Sequence, residues 1–262
     1  MSGQSNYFAG VDIGSRTSKA VIIDQDRRLQ ASKVIYTGIS PAKSGEEVLN
    51  GALREDSLSV SRTVATGYGR VSADFADKTV TEITCHAVGV YSLNNRVRTI
   101  IDIGGQDSKV IKLDGAGKVS DFSMNDRCAA GTGKFLELTA HALQVELSDL
   151  GKMFERSYRP CSISSVCAVF AESEVVSLLA DGRTREDIVA GVQISVARRV
   201  ANMASRVRVE EEVVFSGGVA RNQGITKALE EELLVEFSRL DFDPQLMGAL
   251  GAAIIARNGS FS

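Results

Sequence analysis

Residues 7–13 are a nearly unbroken apolar run that reads as a strand, and Gly14-Ser15-Arg16-Thr17-Ser18 reads as a tight polar turn into a second apolar strand over 19–23. Val64-Ala65-Thr66-Gly67-Tyr68-Gly69-Arg70 has the pattern of a strand followed by a loop, and 83–93 that of a packing helix. Farther along, 132–144 carries Phe135, Leu136, Leu138 and Leu143 at helical spacing, and 169–179 predicts another helix. The span 185–207 predicts a long scaffold helix, with Thr184 as N-cap, Glu186 and Asp187 in the first turn, and Ile188, Val192, Val196, Val200, Met203 and Val207 on one face. Residues 212–215 read as a buried strand ending in Gly217-Gly218, before a helix carrying Asn222. The last helix, 247–257, is rich in Gly and Ala, which suits close packing against another element.

One pattern occurs twice. Asp102-Ile103-Gly104-Gly105-Gln106-Asp107-Ser108-Lys109-Val110-Ile111-Lys112-Leu113-Asp114 aligns without a gap on 12–24, with six of thirteen positions identical, where ordinary residue frequencies would give about one. An internal duplication explains this best, each copy seeding one α/β lobe with its acidic residue, Asp12 or Asp102, at the mouth of the turn.

A length of 262 residues allows one large or two modest domains with real cores. The net charge of -3 without a basic block argues against nucleic acid as the main partner. The polar start predicts no secretory signal, and no apolar run approaches the ~18 residues of a membrane span. A cytoplasmic protein is expected, with no membrane partner. In that setting four cysteines point to metal or redox work ahead of disulfides.

Cys128, in Asn125-Asp126-Arg127-Cys128-Ala129-Ala130-Gly131-Thr132-Gly133-Lys134, and Cys167, in 164–172, each precede a predicted helix. A thiol there would meet unpaired N–H groups and the positive dipole end, which favour a thiolate. Two such cysteines make half of a tetrahedral zinc or four-iron site, which a two-fold dimer would complete. The plainer reading is of buried cysteines acting as small hydrophobes. Cys85 and Cys161 lack the helix-start setting.

Three glycine turns, at 14, 104–105 and 217–218, each follow an apolar strand, where backbone N–H groups can approach a phosphate or purine. Asp12 and Asp102 could hold magnesium through waters. Gly131-Thr132-Gly133-Lys134 is a decoy: a Walker A loop needs glycine where Cys128 stands and Ser or Thr where Phe135 stands. His86 and His141 have no zinc-pair spacing.

The duplicated Asp-x-Gly hairpins with a late Gly-Gly resemble the actin, Hsp70 and sugar-kinase ATPase fold, an α/β fold of two duplicated RNase-H-like lobes with ATP between them. Within it, 10–15, 65–70, 101–107, 125–133, 167–174 and 216–220 are similar to the activators of (R)-2-hydroxyacyl-CoA dehydratases and the related ATPase subunits of benzoyl-CoA reductases, almost end to end. The resemblance implies lobes at 1–95 plus 244–262 and at 96–243, and a homodimer with one [4Fe-4S] cluster held by Cys128 and Cys167 of each chain. It implies ATP or ADP on Gly14, Ser15, Arg16, Thr17 and Ser18, on Gly104, Gly105 and Gln106, and on Gly217, Gly218, Asn222 and Gln245. Asp12 and Asp102 would belong to the magnesium shell, and Gln106 would position the attacking water. The implied work is ATP-gated one-electron donation, with ferredoxin or flavodoxin as the source and a dehydratase or iron-sulfur reductase as the acceptor. A small-molecule kinase of the same fold, which has no use for Cys128 and Cys167, and a zinc-bridged dimer are the competing readings.

Overall fold

The computed structural model describes residues 6–55, 58–164 and 168–259. β1 (Tyr7–Ile13) pairs antiparallel with β2 (Thr17–Ile23), placing Asp12 opposite Lys19 and Ile13 opposite Ser18. β3 (Leu29–Tyr36), α1 (Pro41–Glu55), β4 (Val60–Thr66), the short β5 (Lys78–Thr79) and α2 (Glu82–Leu93) follow, and the strands form a mixed sheet in the order β3-β2-β1-β4-β5. β6 (Thr99–Ile103) and β7 (Ser108–Leu113) then repeat the first hairpin, with Asp102 opposite Lys109 and Ile103 opposite Ser108. After β8 (Val119–Asn125) come α3 (Gly133–Leu143), α4 (Leu150–Arg156), α5 (Ala168–Ala180), α6 (Arg185–Val207), β9 (Val213–Ser216) and α7 (Gln223–Leu233). The second sheet has the order β8-β7-β6-β9, and α8 (Met247–Asn258) closes the described chain. Residues through Arg98, with 113–120 and those from Leu240, form one unit, and 99–112 with 121–239 form the other.

The duplication extends farther than the thirteen aligned residues. In each unit the strand bearing the aspartate pairs in parallel with a later strand, β4 on β1 and β9 on β6, so that Thr66 stands beside Asp12 and Ser216 beside Asp102. Each later strand ends in a glycine at positive φ, Gly67 (φ 88°, ψ -178°) or Gly217 (φ 87°, ψ 172°), which leads into a 3-10 turn.

β1 alternates strictly. Ala9, Val11 and Ile13 pack with Val48, Leu49 and Ala52 of α1, while Phe8 packs with Ala249, Leu250 and Ala253 of α8. Gly10 shares the α8 face, and a Cβ there would lie 2.0 Å from the Ala249 carbonyl oxygen, so only glycine permits this approach. The Gly and Ala content of α8 serves the same end against α2: a Cβ on Gly251 would overlap the Cys85 carbonyl. In the second unit Ile101, Ile103 and Val110 join one core with Phe135, Leu136 and Leu143 of α3 and the apolar face of α6. Ile188, Val192, Val196, Val200, Met203 and Val207 are all buried, and the Thr184 hydroxyl accepts from the Asp187 N–H, as the pattern predicts. Among the described residues no helix is long and apolar enough to cross a membrane.

Candidate functional site

The first acidic turn is short because the Gly14 N–H donates to the Thr17 carbonyl at 3.1 Å, which starts β2 at Thr17, two residues earlier than the polar pattern predicts. Thr37, which the sequence did not single out, fastens it. Its hydroxyl donates to the Gly14 carbonyl at 2.8 Å and lies 2.9 Å from the Ser18 hydroxyl, and its N–H donates to the Arg16 carbonyl at 3.0 Å. Gln245 Nε2 donates to Thr17 Oγ1 at 3.1 Å, so its described contact is with this turn. Asp12 is buried at the turn's mouth, and Lys19 Nζ donates to its Oδ2 at 3.0 Å. Ser15 and Arg16 are half-buried.

The second turn repeats this geometry with a tighter charge cluster. Gly104 N–H donates to the Asp107 carbonyl at 2.9 Å. Lys109, whose side chain is 1% exposed, donates to Asp102 Oδ2 at 3.2 Å and to Asp107 Oδ2 at 2.8 Å, while the Ser216 hydroxyl donates to Asp102 Oδ1 at 3.2 Å. Gly105 is half-buried, and Gln106, the residue expected to position water, is exposed at the tip.

What fastens the second turn is the start of α3. Gly133 N–H donates to the Gly104 carbonyl at 2.9 Å, and Lys134 N–H donates to the Gly105 carbonyl at 2.8 Å. This revises the setting expected for Cys128. The thiol does not head α3: Cys128 precedes a separate 3-10 turn, Ala129–Gly131, and Thr132 caps the helix by accepting from the Lys134 N–H. The first N–H groups of α3 are thus spent on the acidic turn and its own cap, and the dipole argument for a Cys128 thiolate does not hold as drawn from the sequence. Cys128 is instead braced by Asn125, whose side chain donates to the Cys128 carbonyl at 2.8 Å and accepts from its N–H at 3.1 Å.

Cys128 is half-buried, whereas Cys85 and Cys161 are buried in the cores of their units. Burial pushes the Cys85 thiol up to about 12, so it stays protonated at neutral pH. Cys167 lies outside the described residues, immediately before α5.

The third glycine turn divides in two. Gly217 is buried, and a Cβ there would stand 2.4 Å from the Ile103 carbonyl oxygen and 2.6 Å from Asp102 Oδ1, so this glycine seats the acidic strand; Gly218 is exposed. Gly67 stands against Asp12 in the same way, with a Cβ position 2.4 Å from Oδ1. The Asn222 side-chain oxygen caps α7, accepting from Gly224 N–H and Ile225 N–H. Asp187 does more than meet the helix dipole: it accepts from the Ser157 hydroxyl and from the Tyr158 and Arg159 N–H groups, which ties that loop to α6.

The donor set at the two turns is hard carboxylate oxygen, which suits magnesium, and each Oδ2 already carries a lysine ammonium as a stand-in cation. Among the described residues no group of three or more His, Cys, Asp or Glu gathers to hold a metal ion alone. The least buried thiol among the described residues is that of Cys128.

The sequence profile described as the BadF/BadG/BcrA/BcrD ATPase family matches residues 9–256. The chain belongs to this family. Among its relatives, the 2-hydroxyisocaproyl-CoA dehydratase activator of Clostridioides difficile is 47% identical over 95% of this chain and 94% of its own length. The (R)-2-hydroxyglutaryl-CoA dehydratase activating ATPase of Acidaminococcus fermentans is 45% identical over 96% of this chain and 97% of its own. The solved activator of the 2-hydroxyisocaproyl-CoA dehydratase from Clostridium difficile, with bound ADPNP, superposes with a TM-score of 0.92 at 46% identity, over 96% of this chain and 94% of that one. A ROK family glucokinase from Streptomyces griseus shares the fold alone, with a TM-score of 0.57 at 15% identity over 97% of this chain and all of its own. This member of the ATPase family therefore has the actin- and sugar-kinase-like α/β fold, with a duplicated acidic turn in each of its two units.

Proposed function

We propose that this chain is an ATP-dependent activator that delivers single electrons at low potential to a 2-hydroxyacyl-CoA dehydratase or a related iron-sulfur reductase. In this reading it works as a homodimer, with Cys128 and Cys167 of each chain holding one [4Fe-4S] cluster and with ferredoxin or flavodoxin as its electron source. The names of the relatives support the acceptor. The observation that carries the coupling is the pair of hydrogen bonds from Gly133 and Lys134 to the carbonyls of Gly104 and Gly105. They tie the second acidic turn to the helix that starts five residues after the Asn125-braced cysteine. Few bonds separate the turn from Cys128, so a nucleotide that moves the turn must also act on the cysteine segment.

Asp12 and Asp102 would meet magnesium through water, as that ion prefers. The turns at Gly14–Ser18 and Gly104–Gly105 would cradle phosphates with backbone N–H groups, and Gly218, Asn222 and Gln245 would complete the nucleotide's surroundings. Gln106, exposed at its tip, would orient the attacking water. The cluster, when bound, supplies the single low-potential electron. For one electron about 59 mV corresponds to about 1.4 kcal/mol, so a nucleotide-linked shift of a few kcal/mol is enough to move the potential by ~100 mV.

The test is an anaerobic preparation analysed for iron and titrated with ADP and with a non-hydrolysable ATP analogue. About four iron per dimer are expected, lost in Cys128→Ser and kept in Cys85→Ala, with a potential that differs between the two nucleotides. Full iron in Cys128→Ser, or one potential in both states, would refute the reading. Zinc in place of iron would select the bridged structural dimer.

A further inference from the structure

We propose that Lys19 and Lys109 are exchange cations: each ammonium holds an acidic turn together in the metal-free protein, and magnesium arriving with ATP takes its place on the carboxylate. The inference rests on the reading of Asp12 and Asp102 as the magnesium-facing groups.

The two lysines are not ordinary surface cations. Each lies directly across the hairpin from its aspartate, in the same register in both copies of the duplicated element. Lysine is almost never fully buried unless paired, because removing a compact, strongly hydrated ammonium from water is costly. Lys109 is nonetheless 1% exposed, with one carboxylate at 3.2 Å and another at 2.8 Å. Two carboxylates thus face this one ammonium. Lys19 faces the Asp12 carboxylate at 3.0 Å, and its side chain is 12% exposed.

A charge this buried cannot leave for water when a divalent ion arrives. It needs another anion within reach, and the phosphates that enter with the metal are that anion. Exchange would carry each ammonium from carboxylate to phosphate, so the lysines act first as positioning residues for the aspartates and then as phosphate contacts. Without nucleotide the same ammonium competes with free metal, so the turns should bind bare divalent cations poorly and nucleotide-bound ones well.

The competition is read by Mn2+ binding to nucleotide-free protein, followed by electron paramagnetic resonance of free Mn2+. A unit charge a few ångström away is worth several kcal/mol even at an effective dielectric constant of about 20, so Lys109→Met should bind bare Mn2+ at least about tenfold more tightly than wild type. Lys109→Arg keeps the charge and should stay close to wild type. In the same variants, Mn2+-ATP affinity should fall in Lys109→Met, because the phosphate contact is gone. If Lys109→Met does not fold, Lys19→Met carries the same test at the more exposed site.

Unchanged Mn2+ affinity in a folded methionine variant overturns the proposal, because a lysine that merely packs would leave metal binding untouched. A wild-type protein that binds neither Mn2+ nor Mn2+-ATP would instead remove the metal-facing reading beneath it.

Discussion

Gly217→Ala tests whether this glycine sets the geometry of Asp102. At φ 87° and ψ 172° this residue occupies a backbone region that only glycine adopts readily, and holding alanine there costs about 1–3 kcal/mol. The new Cβ would also stand 2.4 Å from the Ile103 carbonyl oxygen and 2.6 Å from Asp102 Oδ1. The first neighbour is backbone and cannot rotate away; overpacking of this kind costs about another 1–3 kcal/mol. The sum, about 2–6 kcal/mol, is a large share of the 5–15 kcal/mol that typically separates folded from unfolded states. At roughly 2–4 °C per kcal/mol for a unit of this size, the thermal midpoint should fall by about 10 °C. The carboxylate must also shift away from the new methyl group, so hydrolysis of magnesium-ATP by the fraction still folded should fall as well. Differential scanning calorimetry beside a phosphate-release assay measures both, and Gly67→Ala, against Asp12, should behave alike. If Gly217→Ala melted within about 2 °C of wild type and hydrolysed ATP at the wild-type rate, the structural account of this glycine would be wrong.

Gln106→Ala should lower ATP turnover by about tenfold or more with little change in nucleotide affinity, the signature of a residue acting mainly in the transition state; wild-type turnover in a steady-state assay would end its catalytic role. A pH prediction follows from Asp187, whose carboxyl is held below the usual carboxylate range by the Arg159 N–H and then the Ser157 hydroxyl. A depressed folded value means that the stabilisation is fully present above the unfolded value of about 3.9 and is lost as pH falls through that value toward the folded one. The difference in urea midpoint between wild type and Asp187→Asn should therefore be full at pH 7 and shrink below about pH 4; a pH-independent difference would mean that the charge is not what matters.

Much of this protein is encoded locally. α6 stands where its apolar period puts it, because a period of 3.6 specifies which residues share a buried face before any partner is known, and β1 stands where its apolar run puts it. The duplication is also a property of the chain itself, and it correctly foretells two equivalent hairpins with Asp12 and Asp102 at their mouths, whereas the pairing of these aspartates with Lys19 and Lys109 is seen only in the structure. Tertiary structure decided what each polar group is spent on. The residues ahead of α3 read as a cysteine-headed helix, yet Thr132 is the better cap, and the carbonyls of Gly104 and Gly105, distant in sequence, take the N–H groups that a thiolate would have used. Gly217 reads as a turn glycine, and that it is also pressed onto Asp102 depends on the parallel pairing of β9 with β6. Thr37 and Gln245 reach the first turn from 23 and 228 residues away in sequence. Periodicity carries no record of such contacts, because their energy depends on where distant backbone is brought by the folding of everything between.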